Sequence, residues 1–210
     1  MCHQNDKFEK IRSLDGITSQ DLKNSLNVDE NRRRVFKAGQ NSGGASGSFF
    51  FFSHDNRFII KTIGASEKKV LLGMLDDMIY HFEHTDNQSM LARIYGLYTI
   101  KTNIFGSLDL ILMQNTSKTK SKDKLTFDLK GSFVNRNVVT PEKFWLKDLS
   151  FSRTLKDINF LTISKSLKFP LVAIQLDVTI YLLNILKADT IFLSKHGLMD
   201  YSLLLTIENG

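Results

Sequence analysis

The chain has 210 residues, 42% of them hydrophobic, and its 28 Lys and Arg exceed 22 Asp and Glu for a formal charge of +6. That length supports one large domain or two small lobes with a packed core, and the basic excess suits an anionic partner: nucleic acid, an acidic membrane face or a phosphorylated substrate. One cysteine, Cys2, excludes an internal disulfide framework and favours a reducing compartment.

The opening MCHQNDKFEKIRS is polar and charged and reads as no secretory signal. Apolar residues at Phe8, Ile11, Leu14, Ile17, Leu22 and Leu26 predict two short helices with a break near Gly16. Asn27–Gln40 is polar and basic, with Arg32–Arg34 at its middle, and reads as a solvated face. Phe49–Ser53 and Arg57–Ile63, separated by His54-Asp55-Asn56, predict a hairpin. Ser66–His84 has helical spacing at Val70, Leu71, Met74, Leu75, Met78 and Phe82, with Ser66 as its N-cap. Ile94–Thr102 and Ser107–Gln114 predict a second hairpin around Asn103–Gly106. Thr116–Lys124 is a charged loop. Phe127–Val139 begins strand-like, and Val139–Arg153 has little period and reads as an insertion.

Leu171–Leu193 is apolar but carries Asp177, Lys187 and Asp189, which marks an amphipathic buried helix and not a membrane span. The predicted helix runs over Pro170–Ser194 and stops at Gly197, with Lys195 and His196 in its last turn. Tyr201–Ile207 is a final β-type run. Hairpins without regular βαβ alternation make the class α+β, with an antiparallel sheet early in the chain.

Three places carry candidate chemistry. Gly43-Gly44-Ala45-Ser46-Gly47 precedes a strand, where small residues let backbone N–H groups approach an anion. Alone it is an ordinary turn; it is neither a Walker loop nor a dinucleotide fingerprint. Strand alternation puts Ile59, Lys61 and Ile63 on one face, and an ammonium among Phe and Ile calls for an anion. The alternative is that Lys61 reaches water from an edge strand. Loop and lysine together match the phosphate-holding logic of protein kinases.

DLKGS at Asp128–Ser132 sets a carboxylate, an ammonium and a glycine within five residues, which alone is also a turn with a surface ion pair. Asp200 lies between a helix stop and a strand, placed either to take a proton from an attacking hydroxyl or to bond its own backbone. His81 and His84 lack convergent carboxylates for zinc, Phe49–Phe52 lacks the spacing of an RNA-binding sheet, and no Gly-x-Ser-x-Gly elbow is present.

In chain order, SGGASGSFFFF…RFIIKT, LMQN, FDLKGS…NRNV, TLKDINFL and MDYSLLL resemble the phosphatidylinositol phosphate kinase core. The likeness runs from Phe8 to Ile207 and is weaker over Gln88–Ile111 and Val139–Arg153. It implies a two-lobed lipid-kinase fold, with an N-terminal lobe over about 1–115 and an incomplete C-terminal lobe over about 116–210. It also implies that Gly43, Gly44, Ala45, Ser46 and Gly47 cover the ATP phosphates and that Lys61 contacts them. Met113, Gln114 and Asn115 would form the linker that holds adenine. Asp128 and Lys130 would line the cleft, with Asp200 the catalytic carboxylate acting on an inositol hydroxyl.

Lys61 and Asp200 are thus expected to converge on one nucleotide-holding crevice. The implied cofactors are ATP and Mg²⁺, and the substrate is a phosphatidylinositol monophosphate. The implied location is the cytoplasmic face of an anionic membrane, with no nucleic-acid partner. Arg32–Arg34 and Lys118–Lys124 are candidate basic contacts to that face, each worth on the order of 1 kcal/mol. The family's metal-binding aspartate and activation loop are expected beyond Gly210, so the alternative is a non-catalytic phosphoinositide-binding or scaffold module on the same fold.

Overall fold

The computed structural model describes residues 1–32, 48–103, 106–117, 121, 123–142, 151, 153–168 and 170–208. They fall into two compact units, one within Met1–Lys118 together with Ile185–Phe192, the other within Thr119–Asn184 together with Leu193–Gly210. The architecture is α+β.

In the first unit, the strands are β1 (Cys2–His3), β2 (Phe50–Phe52), β3 (Phe58–Ile63), β4 (Ile94–Thr102) and β5 (Gly106–Gln114). They form one antiparallel sheet in the order β1-β4-β5-β3-β2. The predicted hairpins are both present, with Phe50 opposite Lys61 and Leu97 opposite Ile111. Helices α1 (Asn5–Leu14) and α2 (Ser19–Ser25) are separated at Gly16, as the spacing predicts. A capping box starts α2: Thr18 Oγ1 accepts from the Asp21 N–H at 3.1 Å, and Asp21 accepts from the Thr18 N–H at 2.9 Å. A short α3 (Val28–Arg32) follows.

Helix α4 (Ala65–His84) buries Leu71, Met74, Leu75, Met78, Ile79 and Phe82, the recurring face expected of an amphipathic helix. It packs on α1, whose Phe8 and Ile11 are fully buried. Its N-cap is Gly64, not Ser66, because the Glu67 carboxylate accepts the Gly64 N–H at 2.7 Å and starts the helix earlier.

The second unit holds β6 (Lys124–Leu129), β7 (Leu155–Lys156) and β8 (Leu203–Glu208) in the order β7-β6-β8. The β6–β8 pair is antiparallel and β6–β7 is parallel. Helix α5 (Asp157–Ser166) follows β7 directly and was not anticipated. Leu125, Phe127, Val138, Leu155 and Ile163 form the buried core, with Phe127 and Phe160 edge to face at 5.2 Å. The strand-like run from Phe127 ends at Leu129, since Gly131 turns the chain with φ +67°.

Helix α6 spans Leu176–Lys195, starting six residues after Pro170, and its Ile185–Phe192 stretch belongs to the first unit. It stops at Gly197 as predicted. Gly197 has φ +63°, its N–H donates to Ser194 O at 2.9 Å, and the Leu198 N–H donates to Leu193 O at 3.0 Å, the two bonds of a Schellman motif. No helix among the described residues is long and apolar enough to cross a membrane.

Candidate functional site

The DLKGS turn of the second unit is held from below by charge. Arg136 is buried; its Nε donates to Asp157 Oδ2 at 2.7 Å, and its Nη2 donates to Asp128 Oδ2 at 3.1 Å and to the Asp128 carbonyl. Asp157 Oδ1 accepts the Lys130 N–H at 2.9 Å and the Gly131 N–H at 2.8 Å. Asn159 fixes the far end of the loop: its Oδ1 accepts the Val138 N–H and its Nδ2 donates to the Val138 carbonyl, both at 2.9 Å. Burial pushes the Asp157 carboxyl up, but the Arg136 bond and the amide N–H donors outweigh it and hold the pKa at about 2. The same ion pair raises the Arg136 guanidinium. The backbone carrying Lys130 is therefore fixed by a charged pair.

Asp200 follows the helix stop and has φ +60°, a left-handed conformation that Asp tolerates better than most residues. Its side chain is 88% exposed, and Oδ1 lies 3.6 Å from Lys130 Nζ. Both line a cleft of about 600 Å³ with Ser132, Asn135, Arg136 and Met199. A carboxylate so open gains little from a loose ion pair. It is open to the cleft, with the Lys130 ammonium beside it. Asp128 reaches this cleft through Arg136, which holds its carboxylate.

In the first unit, Lys61 lies on β3 with its Nζ 3.6 Å from Glu67 Oε1 and 5.9 Å from the centroid of the Phe50 ring. The anion that Lys61 calls for is met by Glu67 in the first turn of α4, a residue the sequence reasoning missed. Its signal was an acid in a helix's first turn, six residues after the lysine. The other Glu67 oxygen holds the Gly64 N–H. The predicted phosphate loop, Gly43–Gly47, lies outside the described residues, as do Arg33, Arg34 and part of Lys118–Lys124.

Met113 and Gln114 end β5, with the Gln114 N–H on Arg93 O at 2.8 Å. Asn115 is buried; its N–H donates to Arg57 O at 3.0 Å, its Nδ2 donates to Asn56 O at 2.8 Å, and its Oδ1 accepts the Ser117 N–H at 3.1 Å. The Asn115 side chain thus ties the β2–β3 turn to the end of β5. That turn is also gripped by Ser25, whose Oγ donates to Asp55 Oδ2 at 2.5 Å, and by Asn31, whose Oδ1 accepts the His54 N–H at 2.8 Å.

Sequence reasoning missed Arg136 and Asp157 as well, although both stand in the quoted segments NRNV and TLKDINFL. Among the described residues no group of three or more His, Cys, Asp and Glu side chains is placed to hold a metal ion. His81 instead shares hydrogen bonding with Asp189, at 2.7 Å.

The family model for phosphatidylinositol-4-phosphate 5-kinase matches residues 33–210. The chain is 36% identical over 209 residues to a probable phosphatidylinositol phosphate kinase of Dictyostelium discoideum, covering 96% of this chain and 26% of that protein. A phosphatidylinositol 4-phosphate 5-kinase of Schizosaccharomyces pombe is 36% identical over 168 residues, covering 80% of this chain and 21% of the relative. Human phosphatidylinositol 4-phosphate 5-kinase type-1 alpha is 33% identical over 173 residues, covering 80% and 28%. The chain therefore spans about a quarter of the length of these curated relatives.

Proposed function

The chain belongs to the phosphatidylinositol-4-phosphate 5-kinase family, and from that membership we propose that it carries the core of an ATP-dependent lipid kinase. The γ-phosphoryl group passes to an inositol hydroxyl of a phosphatidylinositol monophosphate. The observation that carries this is the Lys130–Asp200 pair, 3.6 Å apart on one open cleft. Family membership supports a phosphoinositide substrate; the pair supports a site with the acid–base and charge character the transfer needs.

In the proposed mechanism Asp200 accepts the proton of the inositol hydroxyl. The hydroxyl oxygen then bonds to the γ-phosphorus while the bond to the bridging β–γ oxygen breaks, and ADP leaves. Lys130 offsets charge on the transferring group. Asp128 acts through Arg136, and Arg136 with Asp157 keeps the Lys130 backbone in place. Lys61, oriented by Glu67, contacts the nucleotide phosphates beneath Gly43–Gly47. The Met113–Asn115 segment, braced by the Asn115 side chain, holds adenine.

Magnesium would supply charge neutralisation on the phosphates. The described residues do not by themselves form a site for it, since Asp200 alone offers an open carboxylate on the cleft, and no step is derived through the ion. The chain's basic balance fits a peripheral position on an anionic, cytoplasm-facing membrane. The test is transfer of radiolabelled phosphate from ATP to vesicles containing phosphatidylinositol 4-phosphate. The wild-type chain should label the lipid, and Lys61→Met should lose the label. Equal labelling by both overturns the assignment of Lys61.

A further inference from the structure

The turn between β2 and β3 is gripped from two sides by buried asparagines, both within the first unit. Asn31 of α3 is 7% exposed, and Asn115, just after β5, is 6% exposed. On one side, Asn31 Oδ1 accepts the His54 N–H at 2.8 Å, while its Nδ2 donates to the Ser25 carbonyl at 2.9 Å and to the Asn27 carbonyl at 2.7 Å. On the other, the Asn115 N–H donates to Arg57 O at 3.0 Å and its Nδ2 donates to Asn56 O at 2.8 Å. The residues His54–Arg57 therefore stand between α3 and the end of β5.

The turn itself is stiff. Asp55 Oδ1 accepts the Ser53 hydroxyl at 2.6 Å and the Arg57 N–H at 3.1 Å, and its Oδ2 accepts the hydroxyl of fully buried Ser25. A buried amide side chain is stable only where its polar atoms are met. Asn31 meets that need across three segments at once: the end of α2, the start of α3 and the turn. Beyond the turn, Phe58 pairs with Gln114 and Ile59 with Met113. A shift of the turn therefore passes into Met113–Asn115 through backbone hydrogen bonds.

We propose that Asn31 is a positioning residue for the nucleotide: it sets the β2–β3 turn from α3, and the turn sets Asn115 and with it the Met113–Asn115 segment. This rests on the reading of that segment as the holder of adenine. Asn31 acts through the His54 N–H, and its two donor bonds to Ser25 and Asn27 serve stability alone. The two roles of one side chain can therefore be separated by substitution.

The experiment compares the 210-residue chain with Asn31→Ala and Asn31→Asp. Both variants lose the donor to the Ser25 and Asn27 carbonyls, so both should melt at lower temperature. Only Asn31→Asp keeps an acceptor for the His54 N–H. Hydrogen exchange at the Asn115 amide, which is bonded to Arg57 O, reads the turn, with the β4–β5 core amides as the reference for global opening. Relative to that reference, the Asn115 amide should exchange about tenfold faster in Asn31→Ala, the size of one lost hydrogen bond, and at the wild-type rate in Asn31→Asp. Titration with a fluorescent ATP analogue should follow the same pattern, about tenfold weaker for Ala and restored for Asp. If Asn31→Ala does not fold, Asn31→Ser, polar but too short to reach the His54 N–H, takes its place. Nucleotide affinity that falls equally in both variants tracks stability and overturns the proposal, as does an unchanged affinity or an unchanged Asn115 amide in Asn31→Ala. A wild-type chain that binds no ATP analogue overturns the adenine reading, while the exchange arm still decides the link from Asn31 to Asn115.

Discussion

Arg136 and Asp157 are 21 residues apart in the chain and 2.7 Å apart in the fold. Through them one carboxylate fixes a guanidinium and two backbone amides, and so sets where Lys130 stands beside Asp200.

Removing that carboxylate should be expensive. Asp157→Ala leaves the buried Arg136 and the Lys130 and Gly131 amides without it, and breaking a buried pair from one side typically costs about 3–5 kcal/mol. Urea unfolding followed by circular dichroism should show the second unit melting at markedly lower denaturant. An unchanged midpoint would contradict the brace.

The same pair predicts an acid limb. Asp157 has a folded pKa of about 2 against an ordinary 3.8, so in that window the unfolded chain binds more protons than the folded one. Its contribution, on the order of 2 kcal/mol, is complete above pH 4 and is lost as pH falls through 2. Asp157→Asn should flatten the dependence of stability on pH between 4 and 2. A variant as acid-sensitive in that window as the wild type would show that this carboxylate is not responsible.

Glu67→Gln keeps an acceptor for the Gly64 N–H and removes the charge beside Lys61. Because the Glu67 side chain is 53% exposed, stability should change by less than about 1 kcal/mol. Misplacing Lys61 should nevertheless slow phosphate transfer, by up to about a hundredfold. Steady-state kinetics with varied ATP reads this. Equal turnover would remove Glu67 from the proposed nucleotide site.

Asn115→Ala removes the side-chain partners of the Asn56 carbonyl and the half-buried Ser117 N–H, at about 0.5–1.5 kcal/mol per lost bond. It should also loosen the strand end proposed to hold adenine. Titration with a fluorescent nucleotide should show weaker binding along with a lower melting temperature. A drop in stability with no loss of nucleotide affinity would confine Asn115 to a purely structural role.

Period carried most of the first unit. Apolar runs around polar turns marked both hairpins, and the helical spacing up to Phe82 marked α4, which buries Leu71, Met74, Leu75, Met78 and Phe82 although Val70, predicted on the same face, is 43% exposed. The α4 start moved to Gly64 because the Glu67 carboxylate, not the Ser66 hydroxyl, meets the first free amide. The second unit was less legible. Strand β7 has two residues, too few for alternation, and α5 is a ten-residue helix with buried polar groups, Asp157 and Asn159, on its inner face. Lys61, Lys130 and Asp200 could be singled out because an ion or a turn position drew attention locally. Arg136, Asp157 and Glu67 matter only through partners brought together by the fold.

The central claim is that Asp200 takes the proton of the lipid hydroxyl beside Lys130. Single-turnover phosphate transfer by Asp200→Asn tests it most directly, because Asn keeps the side chain's shape and removes its basicity. Nucleotide and vesicle binding should be unchanged while transfer to phosphatidylinositol 4-phosphate falls by about 10²–10⁴-fold. Transfer at the wild-type rate would contradict the account.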